Sequence, residues 1–135
     1  MLSTDESVQQ LSMQLPTLSG DSLTLAAKNK TTVFYFFAPW CEICHLSIGN
    51  LQSVYEKNDN IDVVAIALDF TSEEEVQRFI SRHKLTFPIA LGNDQVKEQF
   101  KIPGYPSYYV VDADNMITNK SMGYSTEVGL YLRSL

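Results

Sequence analysis

The chain has 135 residues, 44% of them hydrophobic and 19% charged, with a formal net charge of −6. These proportions describe one globular domain able to bury a single core, and they exclude a disordered chain. An acidic chain without a basic cluster cannot neutralise phosphates, which excludes nucleic acid as a partner, and no apolar run reaches the roughly 18 residues of a membrane-spanning helix.

Residues 1–11 are polar and aperiodic and read as a loose lead-in, leaving a single domain over 12–135. The opening Met1-Leu2-Ser3-Thr4-Asp5-Glu6-Ser7 lacks the basic region and apolar core of an export signal. Two alternatives follow: a cytoplasmic protein if Met1 is the native start, or an exported one whose leader or anchor is absent from this chain. Met13-Gln14-Leu15 and Ser22-Leu23-Thr24-Leu25, joined by a turn at Ser19-Gly20-Asp21, predict a hairpin. Thr31 to Phe37 is β-branched and aromatic throughout, as in a strand buried on both faces.

From Glu42 to about Lys57 the periodicity becomes helical, with Cys44, Ile48, Leu51, Val54 and Tyr55 on one apolar stripe and Gly49 as a candidate bend. Ile61 to Leu68 predicts a second buried strand. Ser72 then caps a helix whose first turn holds Glu73, Glu74 and Glu75, with a stripe of Val76, Phe79, Ile80 and His83. Phe87 to Leu91 predicts a short strand, followed by a short helix carrying Val96 and Phe100. Ser107 to Val111 is a further strand, and the turn Asp112 to Asn115 leads to an edge strand at Met116-Ile117-Thr118. Val128, Tyr131, Leu132 and Leu135 stripe a terminal helix. Strands alternating with helices define an α/β domain.

Cys41 and Cys44 are the only cysteines, and they sit where the strand ending at Phe37 gives way to a helix. A thiol at a helix start faces unpaired backbone N–H groups and the positive end of the dipole, which favour a thiolate. Cys41 is therefore assigned as the attacking nucleophile. Cys44, one turn inward on the apolar stripe, would resolve the mixed disulfide. Glu42 acts in the opposite sense: its carboxylate disfavours a neighbouring thiolate and lowers the potential of the couple, which suits a reductant.

Other chemistries share these residues. Cys41, Cys44 and His45 form a Cys-x-x-Cys-His string, the pattern of c-type haem attachment, with Met116 or Met122 as a distal ligand. The two thiolates with His45 or His83 could instead hold copper or zinc. The plainer readings make His45 a solvent-facing residue of the first helical turn and His83 a packed core histidine. A purely structural disulfide would close too small a loop to stabilise the chain much. The Pro-x-x-x-Thr-x-x-Cys arrangement of a thiol peroxidase is absent.

The string Phe36-Phe37-Ala38-Pro39-Trp40-Cys41-Glu42-Ile43-Cys44 resembles the active site of the thioredoxin superfamily, and Ile102-Pro103-Gly104-Tyr105-Pro106-Ser107-Tyr108-Tyr109-Val110-Val111-Asp112 resembles its cis-proline loop and following strand. The unit inserted at about 72–91 and the N-terminal hairpin resemble the TlpA/ResA/DsbE-like branch of bacterial extracytoplasmic oxidoreductases. The resemblance implies a thioredoxin-like fold: a central mixed sheet flanked by helices, with an N-terminal hairpin and an inserted helix-strand unit.

It also implies a monomer that exchanges disulfides with protein substrates in the periplasm, tethered by a membrane anchor, recharged by a membrane electron donor, and using no cofactor or metal. Pro106 would be the cis-proline, and Trp40, Ile43, Tyr105 and Pro106 would dock the substrate. Two positions depart from the resemblance. Tyr35 stands where thioredoxins carry a buried acid, and Ser47 where ResA-like proteins often carry one. Glu42, Asp69 or solvent would then have to move the proton.

Overall fold

The computed structural model describes residues 14–26 and 30–123. The lead-in over 1–11, Met13 at the start of the hairpin and the terminal helix at 128–135 lie outside the described residues. A two-stranded antiparallel hairpin, β1 (Gln14–Pro16) and β2 (Ser22–Thr24), pairs Leu15 with Leu23. The remaining elements follow in order: β3 (Thr31–Phe37), α1 (Glu42–Lys57), β4 (Ile61–Ala67), α2 (Glu73–His83), β5 (Ile89–Leu91), α3 (Asp94–Gln99), β6 (Ser107–Val111) and β7 (Ile117–Met122).

The sheet runs β5-β4-β3-β6-β7, with β3, β4 and β5 parallel and β6 antiparallel to both β3 and β7. Alternation along β3 divides the core between the two faces. Val33, Tyr35 and Phe37 pack with Cys44, Ile48, Leu51 and Val54 of α1 and with Val76 and Phe79 of α2. Phe34 and Phe36 point the other way, onto Val96 and Phe100 at α3 and Leu15 and Leu25 at the hairpin. A strand buried on both faces has no polar alternation, which is why β3 reads as a continuous apolar run.

This register gathers three chain segments at one end of the sheet. Phe37 pairs with Ala67 in the parallel neighbour, so the residues after β3 and those after β4 emerge side by side. Phe36 pairs with Ser107 in the antiparallel neighbour, which brings the start of β6 to the same end. The Pro39–Cys44 turn, Asp69 and the Tyr105-Pro106 loop therefore meet.

Several boundaries differ from the sequence expectation. β4 stops at Ala67, because the chain turns at Asp69 with φ +50° after Leu68 N–H has bonded to Phe37 O (2.8 Å). β5 begins at Ile89 rather than Phe87; the intervening Pro88 has no N–H to donate, though its carbonyl accepts from Ala65 (3.0 Å). β7 starts at Ile117, one residue later than expected, and extends to Met122, and its polar Asn119, Lys120 and Ser121 concealed it.

Two glycines should respond oppositely to alanine. A Cβ at Gly49 would meet nothing within 4 Å, so Gly49→Ala is expected to stabilise the fold by about 0.5 to 1 kcal/mol. A Cβ at Gly92 would lie 2.6 Å from Leu68 Cδ2, 2.7 Å from Ile66 Cγ2 and 2.8 Å from Ala67 O. Gly92→Ala should therefore cost about 1 to 3 kcal/mol through overpacking against β4. Denaturant midpoints of the two variants would move in the same direction if this account of the packing were wrong.

Candidate active site

Cys41 is the N-cap of α1, with φ −81° and ψ 116°, and its Sγ accepts a hydrogen bond from Cys44 N–H at 3.2 Å. An N-cap acceptor satisfies one of the orphan donors of the first turn, here with sulfur in the role usually taken by a serine oxygen. The Cys41 carbonyl accepts from His45 N–H (3.2 Å), closing the first helical bond. Both cysteines are free thiols. Cys41 retains 8% of its surface and Cys44 none, so only the first is presented to a partner. Glu42 lies exposed in the first turn.

Burial pushes the Cys44 thiol well above its ordinary range, and the adjacent Cys41 side chain raises it further. Bonds from the Ala38 backbone and the Tyr35 hydroxyl act the other way. Tyr35 lies beneath the dithiol, fully buried, its hydroxyl 3.4 Å from Cys44 O and 3.3 Å from Ser47 Oγ. The two positions that depart from the family resemblance thus contact one another.

The opposite wall is the loop before β6. Its Tyr105-Pro106 peptide is cis. The Tyr105 carbonyl lies 3.7 Å from Cys41 Sγ, within reach of a weak S–H donor. Pro106 is buried, and its carbonyl accepts from Gly123 N–H (2.9 Å). What the loop offers a partner is thus the half-buried Tyr105 and its backbone. Trp40 is 57% exposed, Ile43 44% and Leu46 70%, so the chain on both sides of the nearly covered thiol carries exposed apolar side chains. Leu46 escaped the sequence reading because it falls off the helix's buried stripe.

Asp69 fastens this wall together. Its carboxylate accepts from the Tyr105 hydroxyl (2.5 Å) and from Lys97 Nζ (2.7 Å), while its backbone carbonyl accepts from Trp40 Nε1 (2.8 Å). Lys97 also lies 5.8 Å from the centre of the Tyr105 ring, and the Trp40 and Tyr105 rings meet edge-on at 5.9 Å. The bond from Lys97, then that from Tyr105, holds the Asp69 carboxyl below its usual range. Burial, and then the bond to Asp69, raises the Tyr105 phenol. An acid so engaged is a weaker proton acceptor than a free carboxylate.

The histidines also correct the sequence reading. His45 is half-buried rather than solvent-facing, and His83 is a half-buried hydrogen-bonding partner rather than a packed core residue. His45 Nδ1 lies 2.7 Å from His83 Nε2, and His45 Nε2 lies 2.8 Å from Pro39 O. A carbonyl only accepts, so His45 Nε2 carries hydrogen and the facing Nδ1 and Nε2 share one proton. Burial, and then the charge of His45, lowers the His83 pKa. Both nitrogens of His45 are thus engaged, and among the described residues no group of three or more His, Cys, Asp or Glu side chains is placed to hold a metal.

A parallel β3-β4 pair flanked by antiparallel β6 and β7, with a helix-capping dithiol facing a cis-proline loop, defines a thioredoxin-like thiol–disulfide oxidoreductase. Residues 8–120 match the AhpC/TSA family, and the chain belongs to that family. It is 30% identical over 128 residues to the thioredoxin-like protein YneN of Bacillus subtilis, covering 90% of this chain and 74% of that protein. Identity to the thiol-disulfide oxidoreductase ResA of Oceanobacillus iheyensis is 32% over 124 residues, covering 90% of this chain and 59% of ResA. The crystal structure of StoA from Bacillus subtilis superposes with a TM-score of 0.80 at 23% identity, covering 92% of this chain and 96% of that one.

Proposed function

We propose that this chain reduces disulfides of protein substrates through Cys41 and Cys44. The observation that carries the reading is the asymmetry of the pair: a helix-capping Cys41 that keeps a sliver of exposed surface and a fully buried Cys44 one turn inward. The Cys41 thiolate attacks one sulfur of a substrate disulfide, and the other substrate sulfur leaves as a thiolate. Cys44, as its thiolate, then attacks Cys41 Sγ; the mixed disulfide breaks and the second substrate sulfur departs. Two electrons pass from the dithiol to the substrate, and the protein is left with a Cys41–Cys44 disulfide. A membrane electron donor that supplies a dithiol would restore it.

Trp40, Ile43 and the Tyr105-Pro106 loop are the docking surface in this reading, with the Tyr105 backbone beside the reacting sulfur. Its place of action is proposed to be outside the cytoplasm, as the branch resemblance implies. No helix among the described residues is long and apolar enough to cross a membrane. Glu42 is proposed to lower the potential of the couple. Glu42→Gln should therefore raise the reduction potential measured against glutathione buffers, and an unchanged or lower value would remove Glu42 from the account.

Mixing the reduced protein with a disulfide-bonded protein tests the reading. One substrate disulfide should be lost for each dithiol consumed. Retention of both thiols after prolonged mixing would contradict the proposed exchange.

A further inference from the structure

The buried Cys44 raises a chemical difficulty. It must become a thiolate to attack Cys41, yet it has no exposed surface, and burial opposes its ionisation. The groups acting on it are the Cys41 side chain, the Ala38 backbone and the Tyr35 hydroxyl, with Tyr105 facing it from the cis-proline loop. None of these is a carboxylate. Tyr35 in turn faces Tyr108 of β6 and Ser47 of α1.

We propose that the Tyr35 hydroxyl, oriented by Ser47, is a catalytic hydrogen-bond donor that turns from the Cys44 carbonyl to the Cys44 sulfur as that sulfur becomes a thiolate. This inference rests on the resolving role of Cys44 proposed above. The geometry supplies the resting position of the donor and places the sulfur in the same buried cluster. Tyr35 Oη lies 3.4 Å from Cys44 O, and the Tyr35 and Cys44 side chains belong to one packed core. A phenol has one proton and a rotatable O–H, so it can serve either acceptor but not both.

Ser47 lets the exchange occur without leaving a buried group unpaired. Its Oγ lies 3.3 Å from Tyr35 Oη and 3.5 Å from Cys44 O. When Tyr35 turns to the sulfur, the Ser47 hydroxyl donates either to Tyr35 or to the carbonyl that Tyr35 released. Burial raises the Tyr35 phenol far above its ordinary range, so it stays protonated and acts as a donor, never as a base. The proton that leaves Cys44 goes to solvent, and the departing substrate thiolate takes one up. A neutral donor stabilises the thiolate without adding a second negative charge.

Tyr35→Phe removes the donor and keeps the ring that packs on Tyr108 and Phe37, at 5.0 and 5.7 Å between centroids. Single turnovers with a fluorescently labelled peptide disulfide, quenched with acid and resolved by mass, separate the two steps. Attack by Cys41 should keep its rate. Resolution should slow about ten- to a hundredfold at neutral pH, with its pH profile displaced upward by about one to two units. Ser47→Ala should shift the same profile in the same direction by less.

Resolution at the original rate with an unmoved profile would overturn the proposal. So would equal slowing of both steps alongside a lower melting temperature, which would indicate mere loosening of the core. Cys44→Ser serves as the control for the underlying roles: if it fails to accumulate the mixed disulfide, the assignment of Cys44 as resolving thiol falls, whatever Tyr35 does.

Discussion

Replacing Cys41 by serine should abolish turnover, whereas replacing Cys44 should arrest the reaction with substrate covalently attached. The difference follows from position. Cys41 Sγ belongs to the one cysteine of the pair with any exposed surface, 3.7 Å from the Tyr105 carbonyl where a substrate strand would lie. A serine there keeps the N-cap, because its oxygen can accept the Cys44 N–H, so folding should be preserved while the nucleophile is lost. Cys44→Ser leaves the first attack intact and removes the only group on the inner turn able to displace the substrate. Non-reducing electrophoresis and mass spectrometry would detect the adduct. Substrate trapped by the Cys41 variant and not by the Cys44 variant would reverse the roles assigned here.

The second large effect should come from Asp69→Ala. The Tyr105 hydroxyl would exchange its carboxylate acceptor for water, a cost of about 0.5 to 1.5 kcal/mol at this exposed bond, and an alanine at φ +50° adds about 1 kcal/mol. The Lys97 ion pair is largely exposed and should contribute little of this. With Tyr105 released, docking should weaken, and KM for a protein disulfide should rise by roughly tenfold, equivalent to about 1.4 kcal/mol. Asp69→Asn tolerates the left-handed backbone and retains one acceptor, so it should lie between the parent and alanine variants.

Acid should mimic the loss. A carboxyl with a lowered pKa stabilises the fold above its ordinary value, and that contribution disappears as pH falls through the lowered one. Removing the carboxylate should also bring the Tyr105 phenol down towards its ordinary pKa, which ultraviolet titration can follow. A KM unchanged in Asp69→Ala would show that Asp69 plays no part in docking.

Local pattern was enough to read β3 and β6, each a continuous apolar run set by burial, and α1, whose buried residues recur at helical spacing. The dithiol was equally legible, since two cysteines at this spacing after a buried strand carry their chemistry in the sequence. What stayed hidden depends on contacts between distant residues. His45 and His83 are 38 residues apart, and Asp69 and Tyr105 are 36 apart. Nothing in the neighbourhood of either histidine announces a partner. Asp69 reads as an ordinary strand-end acid until the β4-β3-β6 register brings the Tyr105 loop beside it. Tyr35 and Ser47 were visible as departures from a resemblance, but their mutual contact required β3 and α1 to pack.

The central claim, that Cys41 and Cys44 form a reducing redox pair, is tested most directly by a titration in dithiothreitol buffers followed through Trp40. This residue is the chain's only tryptophan, adjoins Cys41 and is tied to Asp69 at 2.8 Å, so its fluorescence should follow the state of the pair. The account predicts a single two-electron transition with a midpoint well below about −200 mV. A midpoint near about −120 mV would make the protein an oxidant, and two thiols that stay inert across the whole range would contradict the redox reading altogether.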